Sequence, residues 1–275
     1  MPFNSPVSSY DSVRPVRPVR PVVEPWGPAS PLPAPGDLPG RGEVAVWLLR
    51  IPESAGAAAA FDGALDAEEI RRTARFRDRE HRERYVTSHV VLRLLLGGYL
   101  GVDPAAVEYT RELCGMPDCD KPHGRPAVAG VPGLHFSMSH AADAALYAVA
   151  TDVVGADIDT LRTRRGGADL TGHLHPDEQA AIAALPPAMR EEAFLSCWVR
   201  KEAYLKGIGT GLPGGIAANH VGLAEGLAPD GSRTPAGWAI ADVDAPEDYQ
   251  AAVAVRTGGG AADQPVVTLR HVRLG

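Results

Sequence analysis

The chain has 275 residues, 45% of them hydrophobic and 22% charged, with a formal charge of −7; these values fit a folded protein with a sizeable core and exclude a collagen-like or wholly disordered chain. The acidic balance disfavours nonspecific binding to nucleic acid or anionic membrane, and no apolar run approaches the roughly 18–20 residues of a bilayer span. Three cysteines, Cys114, Cys119 and Cys197, are an odd number that argues against a disulfide framework, so the expectation is a soluble, cytoplasmic protein.

Residues 1–42 hold 11 of the 25 prolines, including the repeat Arg14-Pro15-Val16-Arg17-Pro18-Val19-Arg20-Pro21-Val22. That density removes amide donors and predicts a disordered, extended tail. Folded chain is expected from Glu43, where Val44 to Leu49 is an apolar run of strand length. Leu65 to Arg82 reads as one charged helix, with Asp66 placed to cap its first turn. Between Arg71 and Arg84 there are seven arginines against three acids, a local excess of positive charge within an acidic protein. Tyr85 to Leu100 reads as a second, largely apolar helix, and residues 101–133 as loop with a short strand near Val107 to Thr110. Strands are expected at Leu134 to Met138, Ala144 to Ala150 and Val153 to Ile158. Helices follow at His175 to Ala184 and Pro187 to Lys206, the latter ended by Gly207 and Gly209. Gly237 to Val243, Tyr249 to Arg256 and Val266 to Val272 alternate as strands. This order suggests an α+β protein of two similar halves, residues 43–155 and 156–275.

Four places concentrate polar groups that a core would not choose. Asp157 and Asp159 stand two residues apart on a strand and so share one face. Such a pair either holds a hard cation such as Mg²⁺ or is an acidic strand end in solvent. Trp198, Glu202 and Lys206 are successive i, i+4 neighbours on one helix face, which suits a metal ligand beside a phosphate-binding lysine or a simple surface ion pair. Ser139 and His140 lie at a turn between strands and could donate to a phosphate or close the turn on themselves. G-x-S-x-G is absent, which removes the strained elbow of a serine hydrolase. The basic helix, together with Gly124-Arg125-Pro126, supplies arginine forks that match phosphate oxygens. Cys114, Cys119 and His123 lack the usual zinc spacing and a fourth ligand. Neither a P-loop nor a dinucleotide fingerprint occurs.

Taken together, Gly124-Arg125-Pro126, Phe136-Ser137-Met138-Ser139-His140, Val154-Gly155-Ala156-Asp157-Ile158-Asp159 and Trp198-Val199-Arg200-Lys201-Glu202-Ala203-Tyr204-Leu205-Lys206 resemble the 4′-phosphopantetheinyl transferase superfamily in its longer, surfactin-synthetase-activating type. The stretch Arg72 to Arg93, with Phe76 and Arg84, is similar to that family's basic N-terminal helices, and the likeness covers about residues 43–255. The resemblance implies a pseudo-twofold α+β fold with the active site in the cleft between the halves. It implies transfer of the phosphopantetheine arm of coenzyme A to a serine of an acyl or peptidyl carrier protein, by a monomer that serves polyketide, nonribosomal peptide or fatty acid synthesis. By the motif match, Asp157, Asp159 and Glu202 are the expected ligands of Mg²⁺, with Mn²⁺ as an alternative. Lys206 is expected on the pyrophosphate. Ser139, His140, Arg125, Arg72 and Arg84 are expected on the adenosine phosphates, and Glu178 or Glu202 as the base for the incoming serine. The chain departs from the family pattern at Ala156, at Ala141, at Asp159, where glutamate is common, and at Glu69, where a basic residue is usual.

Overall fold

The computed structural model describes residues 29–114, 116, 124–162, 170–212, 215–227, 234–257 and 264–275. Its central strand is β1 (Glu43–Arg50), where Val44 through Leu49 are all buried. A strand that is apolar on both faces must be covered on both, and the alternation of side chains divides it. Ala45, Trp47 and Leu49 point to one core, while Val44, Val46 and Leu48 point to another. The first core is closed by α1 (Ile51–Ala58) and by α3 (Arg79–Leu100), whose Val91 and Leu95 join it. There Trp47 Nε1 donates to the Tyr99 hydroxyl at 3.0 Å, so the buried indole keeps a polar partner.

The first sheet has the order β4 (His135–Ala141), β5 (Ala144–Ala150), β1, β9 (Val266–Val272). β5 runs antiparallel to β1, with Trp47 opposite Tyr147, and β9 runs parallel to it, with Trp47 opposite Arg270. A second sheet is ordered β6 (Val154–Thr160), β8 (Tyr249–Arg256), β7 (Trp238–Val243), all antiparallel. The two sheets meet over a shared core in which Val46, Leu146 and Ala148 face Val154, Ile158 and Val253. The outer face of the second sheet is covered by α5 (Pro187–Ile208), through Phe194, Trp198 and Leu205 against Trp238 and Ile240. The layers are therefore helix, sheet, sheet, helix, an α+β arrangement. A short ribbon of β2 (Tyr109–Arg111) and β3 (Pro126–Val128) lies beside the first sheet, and α4 (Pro176–Ala184) precedes α5. No helix among the described residues is long and apolar enough to cross a membrane.

Three expectations are corrected. The tail expected over residues 1–42 is ordered from residue 29. Ser30 N–H donates to the His271 carbonyl at 2.7 Å, and Pro33 lies so close to α3 that a Cβ on Gly98 would stand 2.3 Å from its carbonyl oxygen. The prolines lack amide donors but pack well against a helix face opened by glycine; residues 1–28, including the Arg-Pro-Val repeat, lie outside the described residues. The single helix expected over Leu65 to Arg82 is two: α2 (Ala67–Thr73), closed by an Asp66–Glu69 capping box, and α3, begun by Asp78, whose carboxylate accepts from His81 N–H at 2.8 Å. Two acidic N-caps within one charged run thus begin two separate helices. Finally, a division at residue 155 assigns β9 to the second half, yet β9 completes the first sheet beside β1.

Candidate active site

Gly155 sets the distance between β6 and α5. A Cβ there would lie 2.0 Å from the Ala203 carbonyl oxygen and 2.4 Å from Gly207 N, so the helix backbone rests directly on the strand. This contact lays Lys206 over the strand two residues on. Its ammonium donates to Asp157 Oδ1 at 2.6 Å and to the Ala156 carbonyl at 3.2 Å. From the adjoining β4, the Ser139 hydroxyl donates to the same Oδ1 at 2.6 Å. The backbones of β4 and β6 are held together one step earlier, where Ala156 N–H donates to the Ser137 hydroxyl at 3.0 Å. Asp157 is thus buried but compensated by a charged and a neutral donor, as a buried carboxylate requires. Three elements distant in sequence meet at one oxygen.

Asp159 follows on the same strand face and is also buried, its Oδ1 accepting from Thr160 N–H at 2.8 Å. Glu202 is half-buried one turn before Lys206. Among the described residues no three His, Cys, Asp or Glu side chains form a ready-made metal cluster. The donor chemistry nevertheless fits a hard cation: Asp157 already balances a positive charge, that of Lys206, through a carboxylate oxygen. Cys114 is buried and is not disulfide-bonded, while Cys119 and His123 lie outside the described residues.

His140, next to Ser139, is exposed at the end of β4. Crowding holds its imidazole below the ordinary pKa, and Lys206, Arg84 and Arg72 push the same way while Asp157 opposes them. Lys206, Arg84 and Arg72 are thus the cations that act on this imidazole. Arg84 is tied to Glu80 and, at 3.3 Å, to Asp143. Arg72 lies over the Tyr85 ring, 5.3 Å from its centroid. It borders a cavity of about 680 Å³ lined also by Tyr85, His89, Tyr109, Pro126 and Met138.

His89 and Tyr85 were not singled out in the sequence. Their rings stack at 3.8 Å, and the His89 Nδ1 donates to the Tyr85 carbonyl at 2.9 Å. Burial pushes the His89 pKa down to about 4. Tyr85, His89 and Arg93 follow at four-residue intervals on one helix face, and a histidine and an arginine inside an apolar helix were the available signal. Arg93 itself is fully buried and paired with Asp66 and Glu69. Glu69, at the position where the family is usually basic, therefore serves as a counterion within this pocket wall.

Two residues expected at the reaction centre are engaged elsewhere. Glu178 is fully buried behind α5. One oxygen accepts from Lys201 at 2.7 Å and from His175 N–H at 3.0 Å, the other from Val221 N–H at 2.7 Å and Gly222 N–H at 3.3 Å. Glu178 is thus engaged by four donors, whereas Glu202, the other carboxylate expected as a base, is half-buried on α5. The Arg125 side chain is turned to Glu112 and to the Gly207 carbonyl.

The chain is similar to known proteins over most of its length. Residues 153–254 match the family model described as the 4′-phosphopantetheinyl transferase superfamily. The 4′-phosphopantetheinyl transferase HetI of Nostoc sp. (strain PCC 7120) is 30% identical over 215 residues, covering 78% of this chain and 87% of the relative. A 4′-phosphopantetheinyl transferase of Bacillus subtilis is 26% identical over 208 residues, or 74% of this chain and 87% of its own length. A phosphopantetheinyl transferase of Thraustochytrium sp. is 30% identical over 227 residues, covering 75% and 72% respectively.

Proposed function

The chain belongs to the 4′-phosphopantetheinyl transferase superfamily, and on that premise we propose that it transfers the phosphopantetheine arm of coenzyme A to a serine of an acyl or peptidyl carrier protein, with Mg²⁺ as cofactor. The observation that carries this reading is the meeting of Ser139, Lys206 and Asp157 at one carboxylate oxygen, with Arg84 and Arg72 acting on the adjacent His140. Coenzyme A is polyanionic, and binding it calls for hydrogen-bond donors and cations at fixed places.

In this reading Arg72, Arg84, Ser139 and His140 bind the adenosine phosphates. Lys206 binds the pyrophosphate. Asp157, Asp159 and Glu202 would hold Mg²⁺, and Lys206 would give up Asp157 for phosphate. When bound, the cation supplies Lewis-acid polarisation of the pyrophosphate. The carrier serine oxygen forms a new bond to the phosphorus that bears the pantetheine arm, and the pyrophosphate P–O bond breaks. Its electron pair leaves with adenosine 3′,5′-bisphosphate, whose new charge Lys206 offsets by hydrogen bond or proton. The serine proton passes to Glu202, directly or through one water, since Glu178 is enclosed. Catalysis is then chiefly positioning and charge stabilisation. The positive segment from Arg71 to Arg84 favours an acidic carrier surface.

The test is intact-mass spectrometry of an apo carrier protein incubated with the chain, coenzyme A and Mg²⁺. A mass gain of one phosphopantetheine, abolished by EDTA, is expected. Coenzyme A binding without transfer to any of several carriers would leave a binding protein on the same scaffold. Asp157→Ala should lower turnover by at least about 100-fold while the protein stays folded.

A further inference from the structure

Arg125 joins two parts of the molecule that the chain keeps 82 residues apart. It precedes β3, and its backbone continues the β2–β3 ribbon: Glu112 N–H donates to the Arg125 carbonyl at 3.0 Å, and Gly124 N–H to the Glu112 carbonyl at 2.9 Å. The side chain is only 10% exposed. Its Nη2 donates to Glu112 Oε2 at 2.6 Å and its Nη1 to the Gly207 carbonyl at 2.9 Å.

Gly207 lies in the last turn of α5, immediately after Lys206. Carbonyls in that turn lack helical partners and form the negative end of the helix dipole, where a guanidinium is favourable. The backbone is fitted to the same place. Gly209, the left-handed cap at φ +83°, ends the helix directly beside Arg125, whose backbone N a Cβ there would meet in ordinary contact at 3.4 Å. Glu112 fixes the guanidinium on one side and the helix end receives it on the other. To reach a phosphate at the Ser139–Asp157 centre, the side chain would have to give up both contacts.

We propose that Arg125 is a positioning residue: held by Glu112, it caps the C-terminal turn of α5 from the opposite half and so fixes Lys206 against Asp157. As a claim about turnover this rests on the transferase reading above; as a claim about the helix end it does not. Arg125→Gln, Arg125→Lys and Glu112→Gln are compared with the unaltered chain in steady-state transfer and, without ligands, in amide hydrogen exchange. For Arg125→Gln we expect kcat to fall by about 10-fold or more with KM for coenzyme A changed less than about 2-fold. Arg125→Lys, which keeps a cation able to meet one partner, should recover part of the loss. Glu112→Gln should show the same pattern more weakly. Exchange should quicken at residues 207–212 in Arg125→Gln and not at β1.

A rise in KM with kcat preserved, no effect of Glu112→Gln, and unchanged exchange at residues 207–212 would overturn the proposal and return Arg125 to the phosphates. If the unaltered chain transfers nothing to any carrier, the functional reading fails, and exchange alone decides the cap. If Arg125→Gln does not fold, Arg125→Lys and Glu112→Gln decide it by the same two measurements.

Discussion

Lys206 and His89 carry the plainest expectations for single side chains. Lys206 lies 30% exposed beside a buried carboxylate, so Lys206→Met leaves Asp157 with the Ser139 hydroxyl as its remaining donor of those two and removes the cation proposed to bind the pyrophosphate. Turnover should fall by about 100-fold or more, with a thermal midpoint lower by a few degrees. His89 is buried as a neutral ring. The unfolded chain takes up its proton near pH 6.5 and the folded protein only near pH 4. Over that window the unfolded state binds more protons, so stability falls as pH falls. Denaturant titrations from pH 7 to 4 should show the unaltered protein losing about 2–3 kcal/mol more than His89→Gln. Equal pH dependence in the two would mean that His89 takes up its proton alike in the folded and unfolded chain.

Among the elements, the seating of α5 on β6 is the most demanding contact, because it is made backbone to backbone. Gly155→Ala places a methyl group 2.0 Å from the Ala203 carbonyl, and the helix must shift or rise. We expect a loss of about 3 kcal/mol in chemical denaturation and transfer reduced beyond what stability explains, since Lys206 moves with the helix. The ordered segment from residue 29 to 42 makes a different prediction. Compared with a chain that begins at residue 29, one that begins at residue 43 loses Pro33 and Leu38 from α3 and the first core. That loss should cost about 1–2 kcal/mol.

At the scale of the whole molecule, the halves depend on one another in two ways. Their sheets share an apolar core that neither could leave exposed, and β9 crosses back to lie beside β1. Residues 43–155 expressed alone should therefore lack cooperative unfolding in calorimetry. Deleting residues 264–275 from the full chain should destabilise it severely, since it uncovers the edge of β1 and removes Val272 and Leu274 from the first core. The residues that meet at Asp157 come from both sides of that shared core: Ser139 from the first sheet, Asp157 and Lys206 from the second sheet and its helix.

Period and punctuation alone determined much of this protein. The apolar run of β1, the alternation in β8 and the glycine stop after α5 are local properties of the chain, and the order of Ser139-His140, Asp157-x-Asp159 and Glu202-x₃-Lys206 was enough to point to the family. What the sequence left open was partnership, because a charged side chain carries no record of which opposite charge it will meet. Glu178 and Glu202 read alike as acids near helical segments, yet one is sealed behind α5 by Lys201 and three amides and the other stands half-buried on the helix beside Lys206. Arg125 and Arg84 read alike as phosphate forks, yet Arg84 is tied to Glu80 and Asp143, while Arg125 donates to Glu112 and to the Gly207 carbonyl at a helix end. Proline density foretold an extended tail but not that Gly98 would leave Pro33 a place to pack. These choices depend on burial and on distances between segments far apart in the chain, and only the tertiary structure brings those segments together.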